Sequence, residues 1–135
     1  MGYKIDDIEG IGPAYKAKLA EAGITNADLL LDKAKSAPGR TELAETTGIS
    51  RKLILTWANR CDLMRLKGVG GQFAELLECS GVDTVKELRR RNAANLTAKM
   101  NEVNGEKNLT KGQVSESQVQ GWVDQAKELE PMITH

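Results

Sequence analysis

Apolar residues recur at helical spacings along the whole chain, and an all-α protein follows from three observations. No stretch alternates apolar and polar residues with period two for long enough to make a strand. Helix starts and stops punctuate the chain at short intervals, with Pro13, Ser50, Thr84 and Ser115 before apolar stripes and Gly23, Gly48, Gly81 and Gly105 after them. Finally, a Gly-apolar-Gly stretch occurs twice, as Ile8-Glu9-Gly10-Ile11-Gly12 and as Leu66-Lys67-Gly68-Val69-Gly70. A shift of 58 residues superposes Gly10 on Gly68, Gly12 on Gly70, Tyr15 on Phe73, Leu19 on Leu77 and Gly23 on Gly81, which reads as a duplication.

Residues 3 to 8 make one short helical turn ahead of the first tip. Pro13 suits the first position of a new helix, because its missing N–H costs nothing there. Tyr15, Leu19 and Ala22 then form one stripe, and Gly23 is placed to end it in a left-handed cap with Ile24 as the apolar contact beyond. Thr25 with Asp28 reads as a capping box for a helix through Leu29, Leu30 and Ala34. Ser36-Ala37-Pro38-Gly39 stops that helix. A short helix over residues 41 to 47 follows and ends at Gly48. Ser50 opens the next, whose Ile54, Trp57, Ala58 and Cys61 lie at i, i+3, i+4 and i+7.

The second half repeats the plan with altered lengths. Phe73, Leu76, Leu77 and Ser80 form the stripe after the tip, Gly81 caps it, and Thr84 with Glu87 starts another helix. Ala93, Leu96, Met100 and Val103 mark a further helix ended by Gly105, and residues 106 to 113 make a polar loop with no counterpart in the first half. Ser115 with Gln118 opens the last helix, where Val119, Trp122, Val123 and Ala126 reproduce the earlier tryptophan stripe at an offset of 65. The expected organisation is a repeat over 1–62, a repeat over 63–130 and a short frayed tail over 131–135.

At 135 residues with 40% apolar and 28% charged residues, the chain has the composition of a globular protein. Its 19 basic and 19 acidic residues cancel, and each half is balanced on its own. A strong grip on duplex DNA usually shows as a basic excess, so the balance argues against tight, charge-driven binding. The longest apolar runs have three residues, far short of a membrane span. Lys4, Asp6 and Asp7 sit where a signal peptide would be apolar, so a cytoplasmic location is expected. Cys61 and Cys79 form no CxxC, and the single histidine is His135. No metal and no cofactor is expected.

Gly10-Ile11-Gly12-Pro13 with Gly23-Ile24, and Gly68-Val69-Gly70 with Gly81-Val82, resemble helix-hairpin-helix units. The turns at Gly48-Ile49-Ser50 and Gly112-Gln113-Val114-Ser115 match more loosely. Each repeat resembles a pair of such motifs joined by a connector helix, and the resemblance runs from Ile5 to Leu129. The whole chain is also similar to an uncharacterised helix-hairpin-helix family catalogued as a domain of unknown function. The resemblance implies sequence-independent contact with a DNA backbone. Gly10, Ile11 and Gly12, and Gly68, Val69 and Gly70, would supply those contacts, with Ile11 and Val69 as buried plugs. The physical reason is general: glycine lets the main chain approach a phosphate, and free N–H groups at a helix N-terminus point at the anion.

Charge separates the two tips. Glu9 repels a phosphate at the first, where Lys16 follows, while Arg65 and Lys67 attract one at the second, aided by Arg51 and Lys52 at the intervening turn. Arg89-Arg90-Arg91 suits the negative end of a helix dipole. Trp57 and Trp122, matched on apolar stripes, are expected in the core and not as stacking platforms. There is no internal histidine, nucleophile elbow or Walker loop, so no catalysis is expected. Two functions of different class remain: a weak, sequence-independent nucleic-acid-binding module, and a protein-interaction adaptor with no nucleic-acid role. The sequence does not set the oligomeric state.

Overall fold

A computed structural model describes residues 2–135, and among them there are eight α-helices and no strand. A 3₁₀ turn over Ile5–Asp7 precedes α1 (Pro13–Glu21), α2 (Ala27–Ala34), α3 (Ala37–Thr47), α4 (Arg51–Leu63), α5 (Gly71–Cys79), α6 (Val85–Leu88), α7 (Ala93–Lys107) and α8 (Glu116–Glu128). The all-α expectation holds. Contacts divide the chain into two compact units, Met1–Asp62 with Met132–His135, and Leu63–Pro131.

In the first unit α1 and α2 pack on α3. Most of the positions the spacing marked face inward, with Leu19, Leu30, Ala34, Ile54, Trp57, Ala58 and Cys61 all 0–1% exposed, whereas Leu29 of α2 is exposed and Leu31 is buried. Burying each large member of that set stabilises the unit by about 1.5–3 kcal/mol. In the second unit α5 packs on α7, and α6 and α7 on α8. Leu76, Leu77, Val82, Leu88, Met100, Val119 and Ala126 are fully buried there. Residues 132–135, expected to fray, are hydrogen-bonded in the first unit: the Thr134 N–H donates to the Lys35 carbonyl at 2.8 Å.

Three helix ends differ from their sequence reading, two through a capping side chain and one through a left-handed residue. Asn26, not Thr25, caps α2, its Oδ1 accepting the Leu29 N–H at 2.8 Å. Ser36 does not merely stop α2; its Oγ accepts the Gly39 N–H at 3.3 Å, so α3 starts four residues earlier than the expected residue 41 and carries Pro38 in its first turn. Helix α7 runs through Gly105 and ends at Asn108, which holds the left-handed conformation (φ 53°). Glu106 and Lys107 of the expected loop are therefore helical, and the segment 109–113 that follows is ordered by α7 itself. The Asn104 amide donates to the Thr110 and Gly112 carbonyls at 3.1 and 3.0 Å and accepts the Thr110 N–H at 2.9 Å.

Candidate nucleic-acid interface

The two Gly-apolar-Gly stretches adopt the same local structure. Gly10 and Gly68 have φ values of 94° and 87°, a region where a side chain is strained. The Ile11 N–H donates to the Ile8 carbonyl and the Val69 N–H to the Leu66 carbonyl, both at 3.2 Å, closing each turn. Ile11 (5% exposed) and Val69 (0%) plug the turns from inside, as the resemblance implied. Their N–H groups are spent in doing so, which removes them as phosphate donors. The donors that remain lie one turn on. Gly12 and Gly70 are the N-caps of α1 and α5, and the first intrahelical bonds come from Lys16 and Ala74 at 2.9 Å. Ahead of them stand the N–H groups of Ala14 and Tyr15 in α1, and of Gly71, Gln72 and Phe73 in α5. The second tip therefore carries one donor more, because Gly71 takes the place of Pro13.

Neither helix start has a side-chain cap. The other six α-helices are each capped by a side chain: Asn26, Ser36, Ser50, Thr84, Asn92 and Ser115. Gly12 and Gly70, moreover, are glycines that neither torsion nor crowding demands. Their backbones are extended (φ −90° and −94°), and a Cβ built on either meets nothing within 4 Å. Gly10 and Gly68 are needed by their torsions, and a Cβ on Gly10 would also stand 3.3 Å from Arg60 Nη1.

Those tryptophans are core residues, 1% and 3% exposed, as expected. Each meets the aromatic of the adjacent helix edge to face or tilted, Tyr15 with Trp57 at 5.0 Å and Phe73 with Trp122 at 5.2 Å between centroids. One turn beyond each tryptophan, a side chain holds the tip. Arg60 Nη1 donates to the Glu9 carbonyl at 2.5 Å. Gln125 accepts the Lys67 N–H at 2.9 Å and donates to the Lys67 carbonyl at 3.5 Å. Sequence reasoning missed both. The signal was there, since Arg60 and Gln125 share the offset of 65 that pairs Trp57 with Trp122, but an arginine and a glutamine do not look alike.

The charge contrast drawn from the sequence is reduced by these contacts. Arg60 brings a guanidinium to the first tip, beside Glu9. At the second, the half-buried Arg65 donates to the Glu130 carbonyl at 2.9 Å, leaving Lys67 as the exposed cation of the tip. Lys16 is exposed and pairs with Asp6 at 3.4 Å, a surface pair that shields its charge in part. Arg51 and Lys52 begin α4 and line a cavity with Arg40. Arg91 caps the end of α5, donating to the Gly81 carbonyl at 2.7 Å and to Glu87 at 3.1 Å. A groove of about 730 Å³ lies beside the first turn of α5, lined by Gln72, Phe73 and residues 108–112.

Fold and site together define a small all-α protein with two uncapped, glycine-started helices. Residues 9–129 match the family described as Domain of unknown function (DUF4332), and the chain belongs to that family. Comparison with curated proteins and with solved structures gives no match.

Proposed function

We propose that the chain is a non-catalytic binding module, built as two tandem helix-hairpin-helix repeats, that holds the sugar-phosphate backbone of DNA weakly and without sequence preference. The observation that carries this reading is the pair Gly12 and Gly70. Both stand at the N-terminus of a helix that lacks a side-chain cap, both leave open space where a Cβ would be, and neither is demanded by torsion or crowding. Exposed backbone donors in that setting favour an anion that approaches closely. The neutral charge balance supports a modest affinity, on the order of 10⁻⁴ to 10⁻⁶ M, the range of non-specific binding.

Fluorescence anisotropy on a short labelled duplex tests it with the double variant Gly12→Val/Gly70→Val. Both positions are free of steric neighbours, so the added side chains stand between the helix starts and a phosphate, and thermal unfolding of the variant checks that the poorer N-cap residue leaves it folded. Loss of binding supports the tips; unchanged binding refutes them. The second reading is a protein-interaction adaptor. The groove beside α5 favours it, and recovery of one stoichiometric protein partner together with no DNA binding at low salt would establish it in place of the first.

A further inference from the structure

The first unit holds a cationic cavity that the glycine tips do not use. Arg40 on α3 is 3% exposed, which is rare for an arginine without an acidic partner. Its Nη1 donates to the Ala34 carbonyl at 2.9 Å and its Nη2 to the Thr134 carbonyl at 2.5 Å. Both acceptors are neutral, and among the described residues no carboxylate pairs with it. Burial pushes the guanidinium below its ordinary pKa, and the positive charge of Arg51 pushes it the same way. Arg40, Arg51, Lys52, Leu55 and His135 line an open cavity of about 280 Å³.

A buried charge is ordinarily compensated by an opposite one. Here Arg51, the charged neighbour that acts on it, has the same sign, so an anion entering the cavity would offset both charges. Two carbonyls take two of the five guanidinium N–H groups, leaving three for another acceptor. The Ser50 hydroxyl already caps α4 by accepting the Leu53 N–H at 3.2 Å, so the site is made of side chains and differs in kind from the tips. Its volume lies below the range of drug-sized pockets, and Leu55 gives it one apolar wall. That suits a compact oxyanion with a small organic group attached.

We propose that this cavity binds the phosphomonoester group of a small molecule, with Arg40 as the fixed floor and Arg51 and Lys52 closing on the dianion from its rim. Arginine matches a phosphate with paired N–H groups, and lysine adds a point charge. The site stands independently of the glycine tips.

The test is a ¹H–¹⁵N titration of the full chain with inorganic phosphate at constant ionic strength, sodium chloride serving as the control. A nucleoside monophosphate and its parent nucleoside are titrated in parallel. Phosphate and the monophosphate are expected to move the amides of residues 40, 51, 52 and 55 to saturation, and the nucleoside and chloride to leave them unchanged. Arg51→Gln/Lys52→Gln, two exposed positions, should weaken phosphate binding by at least about tenfold with an unchanged melting temperature. Arg40→Lys keeps the charge, loses the fork and should weaken it as well. Linear, chloride-like shifts, or equal phosphate affinity in the wild type and both variants, would overturn the proposal.

Discussion

Gly39, Gly105 and Gly121 lie within helices, and the same substitution should move stability in opposite directions at them. Alanine is the better helix former by about 1 kcal/mol. At Gly105 in α7 and Gly121 in α8 a Cβ meets nothing within 4 Å, so Gly105→Ala and Gly121→Ala should each gain most of that. At Gly39 in α3 the same Cβ would stand 1.9 Å from the Lys33 carbonyl oxygen, a backbone atom near the end of α2. Contact distance is about 3.4 Å, so α2 and α3 must separate by more than an ångström. Two interactions sit on that junction. The Ser36 cap on Gly39 is worth about 1 kcal/mol, and the Arg40 bond to the Ala34 carbonyl about 1.5–3 kcal/mol because its donor is charged. Losing both outweighs the helical gain, and Gly39→Ala should cost about 2 kcal/mol net. Thermal unfolding followed by circular dichroism reads this as a fall on the order of 10 °C, against rises of a few degrees for the other two. A Gly39→Ala protein as stable as the wild type would refute the α2–α3 junction described above.

The two thiols should separate cleanly. Cys61 is fully buried and its pKa is raised to about 12, first by burial and then by the charges of Asp28 and Asp62, whereas Cys79 is half-exposed. A thiol-specific chromogenic reagent at neutral pH should label one cysteine in the native protein and both after denaturation; labelling of Cys61 without unfolding would contradict its placement. The sign of the pH dependence follows: unfolded Cys61 ionises near its ordinary value of 9.0 while the folded thiol holds its proton, so this contribution is intact below pH 9 and is lost as pH rises from 9 towards about 12. Denaturant midpoints measured across that window should fall for the wild type more than for Cys61→Ala. Asn104→Ala strips three hydrogen bonds from the 109–113 loop and should cost about 2–3 kcal/mol, with amide exchange accelerated at Thr110; an unchanged Thr110 rate would show that the loop is ordered by something else.

Most of the helical framework could be read from the chain because it rests on local rules. The stripe Ile54, Trp57, Ala58, Cys61 and its partner Val119, Trp122, Val123, Ala126 are spaced at 3.6, and both are buried. Gly23 and Gly81 take the left-handed cap expected of them, with Ile24 and Val82 donating back to Leu19 and Leu77 at 2.9 Å. The errors fell where two cap residues compete within one turn. Thr25 reads as the cap of α2, but its neighbour Asn26 is the side chain that reaches the Leu29 N–H. Gly105 looked like a stop but sits one turn before Asn108, whose own left-handed turn ends the helix.

The candidate site was legible in its glycines and not in its supports. That Gly10 and Gly68 turn while Gly12 and Gly70 merely leave space is invisible in a string where all four look alike. Arg60 and Arg40 are brought to the Glu9 carbonyl and to Arg51 by folding, and no local pattern marks them. Arg65 read as a free cation beside the second tip because nothing in the sequence tells that Glu130, 65 residues on, presents its carbonyl to it.

The central claim is that the helix starts at the two tips, and not a basic surface, meet the DNA backbone. A ¹H–¹⁵N titration of the full chain with a short duplex at low salt tests it residue by residue. The account predicts that the amides of Ala14 and Tyr15 and of Gly71, Gln72 and Phe73 shift together and saturate, and that the shifts fade as salt rises with a slope of about −2 to −4 in log–log form, as expected for a few phosphates. Shifts confined to residues away from these five, or none at low salt, would contradict it.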